Sequence, residues 1–114
     1  MGIPITLDEY AEFVDTTSQY CTEDPISYTL LGLGGEVGEL QNFWKKRLRT
    51  GRSVLTHEEE AKMSDELGDV MWYCFALAQE LRLDMSEVLE KNQHKLRARQ
   101  KGGTITNLSH EDQS

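Results

Sequence analysis

Two short acidic motifs contain the residues of this chain that are best suited to chemistry. Glu36-Val-Gly-Glu39 and Glu66-Leu-Gly-Asp69 are separated by residues 40–65, and each places two carboxylates three residues apart on one face of a predicted helix. At an effective dielectric of about 20, two like charges about 5 Å apart cost roughly 3 kcal/mol, so four clustered acids need protons or divalent cations. Magnesium takes oxygen ligands and acts most often on phosphates. The motifs therefore predict magnesium-dependent phosphate chemistry.

A second set of polar residues lies on one face of a later predicted helix. Lys95 and Arg99 follow Asn92 at three and seven residues, which aligns an amide, an ammonium and a guanidinium. Such groups can orient a carboxylate and bind a polyphosphate. The alternative is that the two cations extend into solvent along their apolar stems. Trp44 and Tyr73 are candidates for stacking on a nucleobase, although aromatic residues at such positions also occur in helix cores.

Four glycines surround the first acidic motif within one predicted helix. A glycine inside a helix costs about 1 kcal/mol relative to alanine, so something must compensate for Gly32, Gly34, Gly35 and Gly38. One explanation is the close approach of a second helix, and another is space for metal, water and phosphate beside the acids. A third is that the helix begins only after Gly35 or is distorted there.

Local signals predict the helices that position these residues. Capping boxes begin at Thr6 and Thr56, and the Asp24-Pro25 pair and Asp84 mark two further helix starts. Apolar residues then recur every three or four positions. We predict four helices, over about residues 7–20, 25–50, 57–82 and 85–101. Both acidic motifs border the apolar stripe of their helix, so the acids are expected beside the core.

Length and composition bound the fold and the partners. We predict an all-α, four-helix bundle-like domain over residues 1–101 and a flexible tail over residues 102–114. The net charge of -8 argues against binding to a nucleic-acid polymer. Basic residues nevertheless cluster within 45–52 and 91–101, where anions could bind or helix ends are simply solvated. Two cysteines without a metal-binding spacing indicate a reduced, cytoplasmic setting, and no apolar run is long enough to span a membrane.

The order and spacing of these motifs resemble a known enzyme family. The paired acids, the segment from Glu66 to Tyr73 and the pattern Asn92-x-x-Lys95-Leu-x-x-Arg99 together are similar to the MazG-like nucleoside triphosphate pyrophosphohydrolases of the all-alpha NTP pyrophosphatase superfamily. The resemblance covers about residues 25–100. It implies the MazG fold and hydrolysis of an NTP or dNTP between the α and β phosphates, giving NMP and pyrophosphate with Mg2+ or Mn2+.

The same resemblance implies roles for individual residues. The four acids Glu36, Glu39, Glu66 and Asp69 would hold the metal or polarise the attacking water. Glu36 is the preferred candidate for the general base, although the sequence does not separate base from ligand. On the later helix, Lys95 and Arg99 would bind phosphate and Asn92 would support the site. The base and sugar of the substrate do not follow from the resemblance.

Assembly and alternative functions complete the predictions. The resemblance implies a helical dimer or a tetramer built from two dimers. Independently, Trp72 and Phe75 lie outside the central stripe of the third helix, so a single subunit would leave apolar surface uncovered. We predict a two-fold symmetric homo-oligomer, with a tetramer favoured and a dimer as the minimum. Two alternatives stay open: a relative acting on dUTP, dCTP or a phosphoribosyl-nucleotide, and a non-catalytic helical dimerisation module.

Overall fold

The chain is helical throughout the part that the structure describes. The computed structural model describes residues 2–103, and within that range it contains four α-helices and no β-strand. The helices are α1 (Leu7–Thr17), α2 (Pro25–Leu48), α3 (His57–Glu80) and α4 (Met85–Lys101). The all-α prediction is confirmed for these residues. Most of the predicted flexible tail, residues 104–114, lies outside the described residues.

Side-chain capping starts α1 and α3 where the sequence predicts. The Thr6 hydroxyl accepts the Glu9 backbone N–H at 3.1 Å, and the Glu9 carboxylate accepts the Thr6 N–H at 2.9 Å. Thr56 and Glu59 repeat this reciprocal pair at 3.0 and 2.9 Å. Each box satisfies two backbone donors that a helix start otherwise leaves unpaired.

The end of α1 comes earlier than predicted. The helix ends at Thr17, whereas the sequence predicts helix to about residue 20. The hydroxyls of Thr16, Thr17 and Ser18 donate to the carbonyls of Phe13 and Val14 at 2.7 to 3.3 Å. These hydroxyls bind carbonyls that backbone N–H groups would otherwise bind if the helix continued. They therefore favour the end of the helix here.

The glycine-rich segment does not interrupt α2. The helix runs without a break from Pro25 to Leu48, so the explanation that it begins after Gly35 is wrong. Instead, Gly32 marks a close approach between helices, because a Cβ atom there would overlap the ring of Tyr73 on α3. A Cβ atom at Gly34 would have no such neighbour within 4 Å. Close approach therefore accounts for Gly32 only.

The acidic motifs are carried by an antiparallel pair of helices. Arg47, late in α2, contacts Glu59, early in α3, whereas Gly32 in the first half of α2 lies against Tyr73 in the second half of α3. Later residues of one helix thus match earlier residues of the other. This register brings the middle of α2, with its first acidic motif, opposite the middle of α3, with the second.

Helix α1 packs on α3 and covers its second half. The ring of Tyr10 meets Phe75 edge-on at 4.9 Å, and the Gln79 amide donates to the carbonyl of Ala11 at 2.6 Å. Phe75 is only 3% exposed. The expectation that Phe75 adds to uncovered surface is therefore wrong, because α1 packs against the flank on which this ring lies.

Several residues of the predicted apolar stripes stay exposed in the single subunit. Leu67 is 54% exposed, and Met71 and Val37 are also exposed. Trp72 is half-buried. The apolar surface expected to drive assembly is therefore present, but it comes largely from the stripes themselves.

The chain divides into two compact units. The first contains residues up to Arg82, with α1, α2 and α3, and the second begins at Leu83 and contains α4. Four packed helices in one bundle therefore stay a prediction. In the described range, no helix is both long enough and apolar enough to cross a membrane. Cys21 and Cys74 are free thiols, and the cytoplasmic setting stays a prediction.

Candidate active site

The structure brings the two acidic motifs together. Carboxylate oxygens of Glu36, Glu39 and Glu66 lie within 4.8 Å of one another, and so do those of Asp65, Glu66 and Asp69. Glu66 belongs to both groups, so one carboxylate joins them into a single cluster. The sequence prediction of four neighbouring acids thus corresponds to one place on the α2–α3 pair, with Asp65 as an additional member.

Glu66 is the buried centre of this acid cluster. The residue is only 6% exposed, and its Oε1 atom accepts from the Lys62 ammonium at 3.1 Å. Its Oε2 atom is buried and has no hydrogen-bond partner among the described residues. An unpaired buried carboxylate oxygen is costly unless a cation or donor satisfies it. The donor set of several carboxylates around an orphaned oxygen fits a divalent cation of the magnesium type.

The acids raise each other's proton affinity when no cation is bound. The pKa of Glu36 is raised to about 7. Burial is the largest cause, followed by the hydrogen bond and charge of Glu39 and the charges of Asp69 and Glu66. The cluster is therefore relieved near neutral pH by a proton on Glu36, as electrostatics requires for crowded carboxylates. A cation would relieve it in the same way.

Two pockets of different character adjoin the acid cluster. The first, of about 230 Å³, is lined by Glu36, Asp69, Trp72 and Tyr73, and we call it the aromatic pocket. The second, also of about 230 Å³, is lined by Glu39, Asn42, Phe43, Lys46, Lys62 and Glu66, and we call it the lysine pocket. Because α2 and α3 are antiparallel, these residue numbers place the pockets at opposite ends of the cluster along the helix pair.

The aromatic pocket has a fixed wall. The Tyr73 ring lies over Gly32 and meets the Trp72 ring edge-on at 5.0 Å, while the Trp72 indole N–H donates to the Thr17 hydroxyl at 2.8 Å. Burial, then Tyr28, and then the charges of Glu36 and Asp69 raise the pKa of Tyr73. The Tyr73 phenol therefore keeps its proton beside the acids.

Three predicted substrate-binding residues lie in the second unit. Asn92, Lys95 and Arg99 are on α4, where Asn92 and Lys95 are exposed and Arg99 is half-buried. Their role in binding phosphate stays a prediction.

Trp44 lies in a pocket other than the two at the acids. It lines a mostly apolar pocket of about 400 Å³ together with Leu40, Lys45 and Met63, and the Arg47 guanidinium stands 4.9 Å from its ring centre. The structure therefore gathers Tyr73 with the acids and places Trp44 elsewhere on α2.

Sequence reasoning missed some members of the site. Asp65 and Lys62 were not selected, although Asp65 lies four residues before Asp69 and Lys62 four residues before Glu66, a spacing that brings side chains together on a helix. Lys46 was seen only as part of a basic cluster. Lys46 lines the lysine pocket and Lys45 lines the apolar one. The signal that could have separated them is the spacing from Glu39, since Lys46 follows it by seven residues and lies on the same helix face.

The chain is similar to known proteins over much of its length. The model of the MazG nucleotide pyrophosphohydrolase domain family matches residues 3–104. Gene 37 protein of Mycobacterium phage L5 is 44% identical over 80 residues, which cover 70% of this chain and 70% of that protein. The dCTP pyrophosphatase 1 proteins of Bos taurus and Mus musculus are each 37% identical over 62 residues. Those 62 residues cover 53% of this chain but only 37% and 36% of the two relatives.

Proposed function

The chain belongs to the MazG nucleotide pyrophosphohydrolase domain family, an enzyme class, and on that premise we propose that it hydrolyses a nucleoside triphosphate to the monophosphate and pyrophosphate. The observation that carries the proposal is the acid cluster around the unpaired buried Oε2 atom of Glu66. A non-catalytic dimerisation module has no need of a buried carboxylate without a partner, because the unpaired group lowers its stability.

The proposed cofactor is Mg2+, with Mn2+ as the alternative. The residues that would hold it are Glu36, Glu39, Glu66 and Asp69, with Asp65 close enough to contribute. When bound, such a cation neutralises charge on the phosphates and acidifies water. Phosphoryl chemistry of this kind depends mainly on positioning and charge stabilisation, so a rigid helix pair is a suitable support.

The proposed general base is Glu36. Its carboxylate lines the aromatic pocket, and without a bound cation burial and the neighbouring acids raise its pKa to about 7. Tyr73 is proposed to stack on the nucleobase. Lys95 and Arg99 are proposed to contribute to phosphate binding, and Asn92 to support the site. Trp44 is not carried into this proposal, because it lines a different pocket.

The first substrate to test is dCTP. Two relatives that align with this chain are named dCTP pyrophosphatases, although the alignment covers little more than a third of each. We propose a deoxynucleoside triphosphate as substrate, with dCTP and dUTP ahead of the others. A phosphoribosyl-nucleotide is the remaining alternative within the superfamily.

The proposed assembly is a two-fold symmetric homo-oligomer in which α2 and α3 of neighbouring subunits share a core. Exposed stripe residues on these helices support it, namely Leu30, Val37, Leu67 and Met71. These side chains are only about half exposed, so covering the rest contributes about 1 kcal/mol each. A tetramer is the narrower form of the proposal.

One assay tests the reaction. The purified protein is incubated with each (d)NTP and Mg2+ or Mn2+, and the products are separated by ion exchange. Monophosphate and pyrophosphate are expected, whereas diphosphate and orthophosphate as primary products would refute the proposed bond cleavage.

Charge-deleting variants test the site. Glu36→Gln, Glu39→Gln, Glu66→Gln and Asp69→Asn should each remove most turnover with little loss of helicity, because they keep volume and delete a charge. Glu58→Gln is the matched control, since Glu58 is an exposed acid in the first turn of α3. Near-full turnover in any two of the four variants would show that the site is assigned incorrectly.

A further inference from the structure

The two pockets at the acid cluster have walls of opposite chemistry. At one end, Trp72 and Tyr73 offer ring faces and edges. At the other, Lys46 and Lys62 offer ammonium groups and Asn42 offers an amide. A ligand that bridges the cluster would therefore meet an apolar, flat surface at one end and cationic donors at the other.

The lysine pocket contains groups that the rest of the protein leaves unused. Lys62 is paired with Glu66. Asn42 and Lys46 are exposed, and neither side chain makes a hydrogen bond or ion pair within residues 2–103. They follow Glu39 by three and seven residues, so all three lie on one face of α2. Glu66 on α3 lines the same pocket, and its buried Oε2 atom has no hydrogen-bond partner among the described residues.

The mixture of charges in the lysine pocket restricts what can bind there. Two carboxylates disfavour a bare anion, and two ammonium groups disfavour a bare cation. A polyphosphate with its divalent cation satisfies both sets, because the cation meets Glu39 and Glu66 while the phosphate oxygens meet Asn42 and Lys46.

On the basis of the proposed function, we infer that the substrate lies along the α2–α3 pair in one direction, with its nucleoside at the aromatic pocket and its β and γ phosphates at Asn42 and Lys46. Lys46 follows Glu36 by ten positions, which is about 15 Å along a helix. That span matches an extended nucleoside triphosphate. The pyrophosphate product is then held at the lysine end, and the monophosphate is held at the aromatic end.

Product inhibition separates the two ends. Lys46→Met should weaken inhibition by magnesium pyrophosphate about fivefold to tenfold and leave inhibition by the monophosphate within about twofold. Asn42→Ala should act in the same direction with a smaller effect. Lys46→Arg should restore pyrophosphate inhibition, because the positive charge is kept. Lys45→Met is the matched control, since it removes the neighbouring lysine from the other pocket and should change neither inhibition.

Equal weakening of both products by Lys46→Met would overturn the inference, and so would an equal effect of Lys45→Met on pyrophosphate inhibition. Calorimetric titration of magnesium pyrophosphate onto each variant gives the same comparison without turnover. The proposed function alone would be refuted if Lys46→Met weakened pyrophosphate binding but the wild-type protein released no pyrophosphate from any triphosphate. Turnover with no selective effect of Lys46 would refute the inference alone.

Discussion

Replacing Gly32 with alanine tests the close approach between α2 and α3 on which the aromatic pocket depends. The added Cβ would overlap ring carbons of Tyr73, whereas the same atom at Gly34 meets nothing. Both replacements gain about 1 kcal/mol of helix propensity. Overpacking typically costs about 1 to 3 kcal/mol. Because the propensity gain is common to both variants, their difference in free energy of unfolding isolates the overlap, about 1 to 3 kcal/mol in favour of Gly34→Ala.

Urea denaturation followed by circular dichroism measures this difference. The Tyr73→Ala background removes the ring, so in that background Gly32→Ala and Gly34→Ala should stabilise the protein equally, which makes a double-mutant cycle. If the ring turns aside to relieve the overlap, it leaves its place beside Glu36 and Asp69, and Gly32→Ala loses turnover even where stability is kept. The close approach would be refuted if Gly32→Ala had the same free energy of unfolding as Gly34→Ala and also kept full turnover.

Three further predictions concern charge and assembly. In metal-free protein the raised pKa of Glu36 gives a stabilising contribution that is fully present below the ordinary value of 4.5 and is lost as pH rises through about 7. The free energy of unfolding, measured in EDTA at a series of pH values, should show this loss. Glu36→Gln should abolish it. Glu59→Gln should lower the unfolding free energy, because Arg47, 5% exposed, loses its charge partner. Arg52→Gln should have a smaller effect, because Arg52 is 55% exposed and solvent screens its ion pair. Light scattering at micromolar concentration should give a multiple of the 13.0 kDa chain mass; an active monomer would contradict the proposed assembly, and a dimer would contradict only the tetramer.

Local signals in the sequence were sufficient for much of this protein. The helix starts at Thr6, Asp24, Thr56 and Asp84 depend on hydrogen bonds that reach two or three residues along the chain, so they could be predicted without the fold. The pairing of acids within each motif follows from helical spacing in the same way. The enzyme class was predicted from the resemblance of these motifs to a known family, and the family match confirms it.

Contacts between helices were decided only by the tertiary structure. The sequence shows that Phe75 is apolar, but its burial depends on where α1 packs, which no spacing within α3 reveals. Likewise, four glycines in one helix have the same intrinsic cost, and only the position of the Tyr73 ring distinguishes Gly32 from Gly34.

The chemistry of the candidate site divides in the same way. The presence of four acids is a property of the sequence. The unpaired Oε2 atom of Glu66 is not, because it depends on the burial of that atom and on Lys62 pairing with the other oxygen. The difference between Lys45 and Lys46 likewise depends on 100° of helical rotation relative to α3. Local hydrogen bonding and periodicity are encoded within a few residues, but burial and pocket shape depend on contacts between residues that are distant along the chain.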